Sequence, residues 1–190
     1  MNKLLTIVFN SYFSKKSLNK VLKNLIKYKI IIIENSLDKS LKLELEKKYK
    51  NVRVVLPKKN LGTSKGFNLG IKLATTDYVF ISNPDIKITN RSIDELILCA
   101  QKIKKFALIA PTYKIEKIHK NHSNYSEKIG SDKPFFKKYK IFSVNWIDNN
   151  FIINRKLIKN NFFDENYFLY FETIDFCKRL KREKKNLLVS

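Results

Sequence analysis

The sequence predicts an α/β sandwich built on a mostly parallel central sheet, and three observations carry that prediction. Its apolar runs are short and unbroken, as strands covered on both faces require. They alternate with stretches whose apolar residues recur at helical spacing. Polar residues then collect where the apolar runs end, at Asn10, Glu34 and the Asn83-Pro84-Asp85 turn. In an open α/β sheet the carboxyl ends of the strands border the ligand crevice.

The elements follow in order. Residues 4–9 (LLTIVF) suit a first buried strand, and 14–28 place Leu18, Val21, Leu22, Leu25 and Ile26 on one helical face behind a Ser14 cap. A second strand is expected at 29–33 (KIIII), a Lys/Glu-rich helix at 38–49 and a third strand at 52–56 (VRVVL). A glycine-punctuated segment leads into a helix ending near Ala74, and a fourth strand at 77–82 reaches the Asn-Pro-Asp turn. Residues 92–105 read as a helix and 106–110 (FALIA) as a fifth strand. From 113 to 140 the periodicity lapses, which predicts a long, mobile excursion carrying His119 and His122. Two more strands (IFSVNWI and NFIIN) and a helix over 171–184 complete the pattern, before the chain ends in NLLVS with no element assigned to it.

Composition narrows the function classes. A chain of 190 residues with 44% hydrophobic content can bury about 70% of its unfolded surface, enough for one domain, 1–190. Within it, 1–110 would form the ligand-binding half and 111–190 the second half. Cys99 and Cys177 stand far apart without metal-ligand spacing. That argues against a zinc site or a disulfide framework and for core thiols in a reducing, cytoplasmic setting. The loop histidines lack a matching third ligand. No run approaches the roughly 18 apolar residues of a membrane span, so any membrane contact is peripheral.

The net charge of +22 favours acidic partners, although abundant Lys, Asn and Ile also follow from AT-rich codons. The bases are spread along the chain and no RNP or helix-turn-helix pattern accompanies them, which speaks against nucleic acid.

Three constellations carry chemistry. In NLGTSKGFNLGI (60–71) the glycines Gly62, Gly66 and Gly70 stand four apart. They allow either close packing of a helix on a sheet or approach of a phosphate to a helix N-terminus. The spacing matches neither the P-loop nor GxGxxG. Asn83-Pro84-Asp85 is ordinary turn chemistry, yet Asp85 suffices as one protein ligand of Mg²⁺ or Mn²⁺ when phosphate and water supply the rest. In FFDENYFLYFETIDFCKRL (162–180), Glu172 and Asp175 share one face of a helix's first turn, with bases Lys178, Arg179, Lys181 and Arg182 behind them. Acids set among aromatics are costly without a purpose.

Taken together and in this order, NxGxxxGxNxG, NPD and FDExxFxYFExxDxCxRL resemble family 2 glycosyltransferases over nearly the whole chain, Leu4 to Leu188. The likeness is greatest to the rhamnosyltransferase-like branch of bacterial surface polysaccharide synthesis. The resemblance implies a GT-A fold, the Rossmann-like α/β/α sandwich of nucleotide-diphospho-sugar transferases. It also implies an inverting, metal-dependent transfer from a nucleotide-diphosphate sugar to a glycan or lipid-linked acceptor. On this likeness Glu34 and Asp38 fall where the base is contacted, and Asn10, Asn60, Gly62, Gly66, Asn68 and Asn83 line the nucleotide-sugar site. Asp85 would hold the divalent metal, and Trp146 and Asp148 would lie near sugar and acceptor.

Two departures accompany the likeness. Relatives read FEDxD, and here Thr173 replaces the acid that serves as base. Threonine cannot take a proton at neutral pH, so Glu172 or Asp175 inherits the role, with Asp175 preferred, or else the protein binds its nucleotide sugar without turnover. The branch also continues past the Arg-Leu helix, so this chain is expected to be short in its acceptor half. The basic segment 178–185 is a candidate for peripheral contact with the anionic inner face of a membrane.

Overall fold

A computed structural model of the chain describes residues 4–103, 105–112, 114–115, 118–119, 125–129, 139–158, 160 and 162–190, with backbone alone at 114–115, 118–119 and 125–129. Strands β1 (Leu5–Ser11), β2 (Lys29–Glu34), β3 (Val52–Val55) and β4 (Tyr78–Ser82) alternate with helices α1 (Lys15–Leu22), α2 (Lys39–Lys48) and α3 (Gly62–Leu73). After α4 (Asn90–Ile103) come β5 (Leu108–Ala110), the short pair β6 (Lys114–Ile115) and β7 (Ile118–His119), then β8 (Tyr125–Ile129), β9 (Ile141–Val144) and β10 (Phe151–Asn154). Helix α5 (Glu172–Arg182) and strand β11 (Leu187–Val189) follow.

Nine strands form one sheet in the order β3-β2-β1-β4-β10-β5-β11-β9-β8. β1 pairs in parallel with both β2 and β4, and β2 with β3. β10 runs antiparallel between β4 and β5, and β9 antiparallel to both β11 and β8. β5 and β11 pair in parallel, so every strand of this sheet except β9 and β10 runs in one direction, and the sheet is mostly parallel in that sense, as expected. The chain moves outward from β1 to β2 and β3, then returns to lay β4 on the other side of β1. That reversal is a topological switch point, and it opens a crevice at the carboxyl ends of β1 and β4.

The pleat explains the sandwich. Ile30 and Ile32 enter one core with Leu18, Leu22, Leu41, Leu45, Ile93 and Leu96 of α1, α2 and α4. Ile31 and Ile33 enter the opposite core with Phe67 and Ile71 of α3 and Phe176 and Leu180 of α5. Successive side chains of a strand point to opposite faces, so a run of isoleucines is what a strand with helices on both sides needs. Gly70 lets α3 lie close on this sheet, since a Cβ there would stand 2.2 Å from Cγ1 of Val8.

Three expectations are revised. Helix α1 ends at Leu22, short of the predicted Tyr28. The amides of Asn24, Leu25 and Tyr28 instead bond carbonyls three residues back, which buries Leu25 and leaves Ile26 64% exposed. Ser14 supplies no side-chain cap, because its hydroxyl donates to the Tyr12 carbonyl. The closing NLLVS is a strand: Leu187, Leu188 and Val189 have no exposed surface and fill the slot between β5 and β9.

The expected excursion over 113–140 contains β6, β7 and β8. His122 lies outside the described residues, as does the side chain of His119. Both cysteines are free and buried, as predicted. No described helix is long and apolar enough to cross a membrane.

Candidate active site

A cleft of about 270 Å³ opens at the switch point, lined by Asn10, Ser11, Tyr12 and Ser14 after β1, Thr63 of α3, and Asn83, Pro84 and Asp85 after β4. The sequence places Asn10, Asn83 and Asp85 on this rim, and the structure brings them together there. Asp85 is exposed and also borders a second hollow of about 310 Å³, between α1 and residues 84–88. A larger hollow of about 660 Å³ lies behind α3. It is the weaker candidate, because Asn68 and Arg155 in its wall are already bonded to main chain.

The first layer beneath the cleft is a relay of amides. Asn10 donates to the Gly62 carbonyl at 3.1 Å and accepts from Asn35 at 2.7 Å, while Asn35 accepts from the Leu61 amide at 2.9 Å. A Cβ on Gly66 would sit 2.2 Å from Asn10 Oδ1, so glycine there leaves room for this relay. Gly62 needs its glycine for two reasons, a φ of +69° and a Cβ position 2.4 Å from the Phe168 carbonyl. Asn35 itself was not singled out from the sequence. Only its place in the polar turn ENSLD after β2 could have pointed to it.

Glu34 is fully buried below this layer. One carboxylate oxygen accepts from the Ser11 hydroxyl at 2.5 Å, and the other from the Ser36 amide at 2.9 Å and hydroxyl at 2.5 Å. The carboxylate holds the ends of β1 and β2 together. Asp38 is half-buried and caps α2 by accepting from the Leu41 amide, with the Ser40 hydroxyl foremost in holding its pKa down. Asn68 is a pin, bonding the Phe163 amide and carbonyl at 3.0 and 2.8 Å. Packing of the 162–165 segment against α3 explains why it faces inward.

The expectation that α3 offers free N–H groups to phosphate is also revised. The Leu61, Gly62 and Thr63 amides already donate to Asn35 Oδ1, Asn60 Oδ1 and the Phe168 carbonyl. Asn60 thus orders the helix start.

One strand further along the rim, the loop 145–150 meets the first turn of α5. Trp146 is 36% exposed, and Asp148 accepts from the neighbouring Asn149 amide. Glu172 is only 4% exposed, and its Oε2 has no hydrogen-bond partner. Burial, aided by the negative Asp148, pushes its pKa above the ordinary 4.5. Asp175 is different, for Arg179 Nε grips it at 2.7 Å one turn along while the same guanidinium reaches the Phe162 carbonyl. Ordinary helix pairing at i, i+4 accounts for Asp175. The buried Glu172, whose Oε2 lacks a partner, has no such account.

A parallel sheet reversing at a cleft tipped by an acid-bearing turn is the GT-A architecture of nucleotide-diphospho-sugar transferases. The sequence profile of glycosyl transferase family 2 matches residues 4–170, and the chain belongs to that family. Among solved structures it is similar to Staphylococcus aureus TarS 1–349, with a TM-score of 0.71 and 16% identity over 98% of this chain and 58% of that one. The same TarS segment in complex with UDP gives 0.69 and 15%, and in complex with UDP-GlcNAc 0.67 and 15%, over 57% and 56% of those chains. At such identities the likeness shows the fold. The chain spans less than three fifths of the length of these structures. Comparison with curated proteins finds no match.

Proposed function

We propose that this chain, as one GT-A domain, transfers a sugar from a nucleotide-diphosphate donor to a hydroxyl of a glycan or lipid-linked acceptor. The transfer inverts the anomeric configuration and serves cell-surface polysaccharide synthesis of the rhamnosyltransferase-like kind. The observation that carries the reading is Asp85, an exposed acid at the switch-point cleft of a family 2 fold. The residues around it suit a hard cation, since Ser11, Ser14, Asn83 and Asp85 offer oxygen donors. Among the described residues no group of three His, Cys, Asp or Glu could hold a metal. Asp85 would therefore be the protein's carboxylate ligand to Mg²⁺ or Mn²⁺, with phosphate and water completing the set.

When bound, such a cation neutralises charge on the departing diphosphate. The chain's own residues do the rest. Asn10, held by Asn35, fixes the floor of the cleft, and Tyr12 and Trp146 border it and the acceptor side. Glu172 accepts the proton of the acceptor hydroxyl, a role favoured by a carboxyl raised toward the working pH and typically worth about 10² to 10⁴ in rate. Attack from the side opposite the leaving group needs no covalent sugar intermediate.

The test is release of nucleotide diphosphate from UDP-, dTDP- and GDP-sugars with Mn²⁺ and a panel of glycan acceptors. The UDP and UDP-GlcNAc complexes of the TarS fold make uridine donors the first choice. Release that Asp85→Ala abolishes is expected. Thr173 favours a second reading, binding without turnover, and nucleotide-dependent thermal stabilisation with no release for any donor would establish that one instead.

A cytoplasmic location with peripheral contact to anionic lipid fits the exposed bases Lys178, Arg182 and Lys184. Failure to sediment with anionic vesicles at low salt would remove the lipid contact.

A further inference from the structure

The loop joining β9 to β10 is fastened at three successive points. The Ile147 amide donates to Cys177 Sγ at 3.4 Å, and that thiol donates back to the Ile147 carbonyl at 3.7 Å. The Thr173 hydroxyl donates to Asn149 Oδ1 at 3.0 Å, and the Ser82 hydroxyl donates to Asn150 Oδ1 at 2.6 Å. Asn150 takes a φ of 75° to do so, a left-handed conformation that asparagine tolerates better than most residues. Ser82 immediately precedes Asn83-Pro84-Asp85, and Thr173 immediately follows Glu172. Two adjacent asparagines therefore join the strand end that carries the cleft's acid to the helical turn that carries the buried carboxyl.

We propose that Thr173 is a positioning residue: through Asn149 and Asn150 its hydroxyl locks the Glu172 turn to the end of β4, holding the carboxyl in one frame with the Asp85 turn. The proposal rests on Glu172 as the proton acceptor. It gives the residue that replaces the usual acid a function of its own.

The geometry explains why such a lock is needed. Glu172 Oε2 has no hydrogen-bond partner, and the residue before the helix, Phe171, enters it with a φ of 64° and no side-chain cap. The carboxyl bonds its own main-chain amide and leaves Oε2 without a partner, so its place is set by the helix turn and the loop packed on it. The charged group facing it from the loop is Asp148, and on its own helix Asp175 is occupied by Arg179. The Cys177 thiol beneath the loop is un-ionised, with its pKa pushed up to about 12 by burial. Freeing Asn149 loosens the loop and admits water to Glu172.

The experiment compares Thr173→Val, which keeps the shape and removes the hydroxyl, with Thr173→Ser and Asn149→Ala in the full chain. The Glu172 side-chain carboxyl is titrated by carbon NMR, with Glu172→Gln assigning its signal, and kcat and donor KM are measured beside it. Thr173→Val is expected to move the titration down toward the ordinary carboxylate value and to cut kcat about 10²-fold with donor KM little changed. Thr173→Ser should restore both. Asn149→Ala should reproduce the loss, and the double variant should be no worse than either single one.

A Thr173→Val protein with wild-type kcat and an unmoved Glu172 titration overturns the proposal, as does additive loss in the double variant. Full transfer by Glu172→Gln overturns the base reading beneath it. That result is distinguishable, because the titration of the Thr173 variants does not depend on it.

Discussion

Replacing Gly66 by alanine separates the two purposes a glycine in α3 can serve. The added Cβ would lie 2.2 Å from Asn10 Oδ1 and 2.8 Å from its Cγ, well inside the 3.4 Å at which ordinary contact begins. The amide has to move, and it gives up its bonds to the Gly62 carbonyl and Asn35. Two lost hydrogen bonds cost about 2 kcal/mol, and crowding adds about 1 kcal/mol or more. Alanine returns about 1 kcal/mol through helix propensity. The net is a loss of about 2 kcal/mol, which lowers Tm by about 4–8 °C in a chain of this size.

Calorimetry measures it, with Gly70→Ala alongside. That variant meets Val8 in the core at the same 2.2 Å, so it should lose stability while leaving nucleotide affinity alone, whereas Gly66→Ala should lose both. In an Asn10→Ala background the obstruction is gone and Gly66→Ala should become stabilising by about 1 kcal/mol. A Tm for Gly66→Ala at or above wild type, or destabilisation that survives in the Asn10→Ala background, would refute the reasoning.

Other substitutions test single assignments. Glu34→Gln puts an amide against the Ser11 and Ser36 donors of a fully buried site and should cost about 2 kcal/mol or more in urea denaturation. Asp175→Asn breaks a half-buried i, i+4 pair and should cost about 1 kcal/mol or less while sparing transfer. If it abolishes transfer with the fold intact, the base is Asp175 and not Glu172. Burial raises Glu172 above its unfolded value, so the folded state binds the extra proton and stability falls as pH rises from about 4.5 through the folded pKa. Urea midpoints of Glu172→Gln relative to wild type should accordingly grow across that window and level off above it, and a flat difference would show the carboxyl to be unperturbed. Leu188→Ala, in a strand with no exposed surface, should cost about 3 kcal/mol.

The parts of the fold that could be read from the sequence are those whose signal is local. The isoleucines of β2 announce a strand covered on both faces, because a strand with one wet face alternates. The turn at Asn83-Pro84-Asp85 announces the end of β4. What escaped is decided by distant partners. LLV at 187–189 is too short to declare itself, and it becomes a strand because β5 and β9 leave a slot for it. The early end of α1 depends likewise on Leu25 finding the core through a turn.

The site divides along the same line, and the division decides which of its acids matters. Asp85 and Asn10 were readable because a strand end fixes where they stand. Glu34, Asp38 and Asn68 carry the right atoms at the right places in the chain, yet each is taken up by scaffolding, as a strand tie, a helix cap and a loop pin. Spacing alone cannot reveal such prior commitments. Nor could it rank Glu172 against Asp175: both lie on one helix face, and only the guanidinium at 2.7 Å from Asp175 and the buried, unbonded Oε2 of Glu172 tell them apart. An acid already paired with a cation is a poor proton acceptor, whereas one that is buried without a cation carries a desolvation cost that a reaction can put to use. On the proposed reading, the threonine at 173 would not empty the site of its base: the role would shift by one residue, to Glu172, and leave a hydroxyl to hold that neighbour in place.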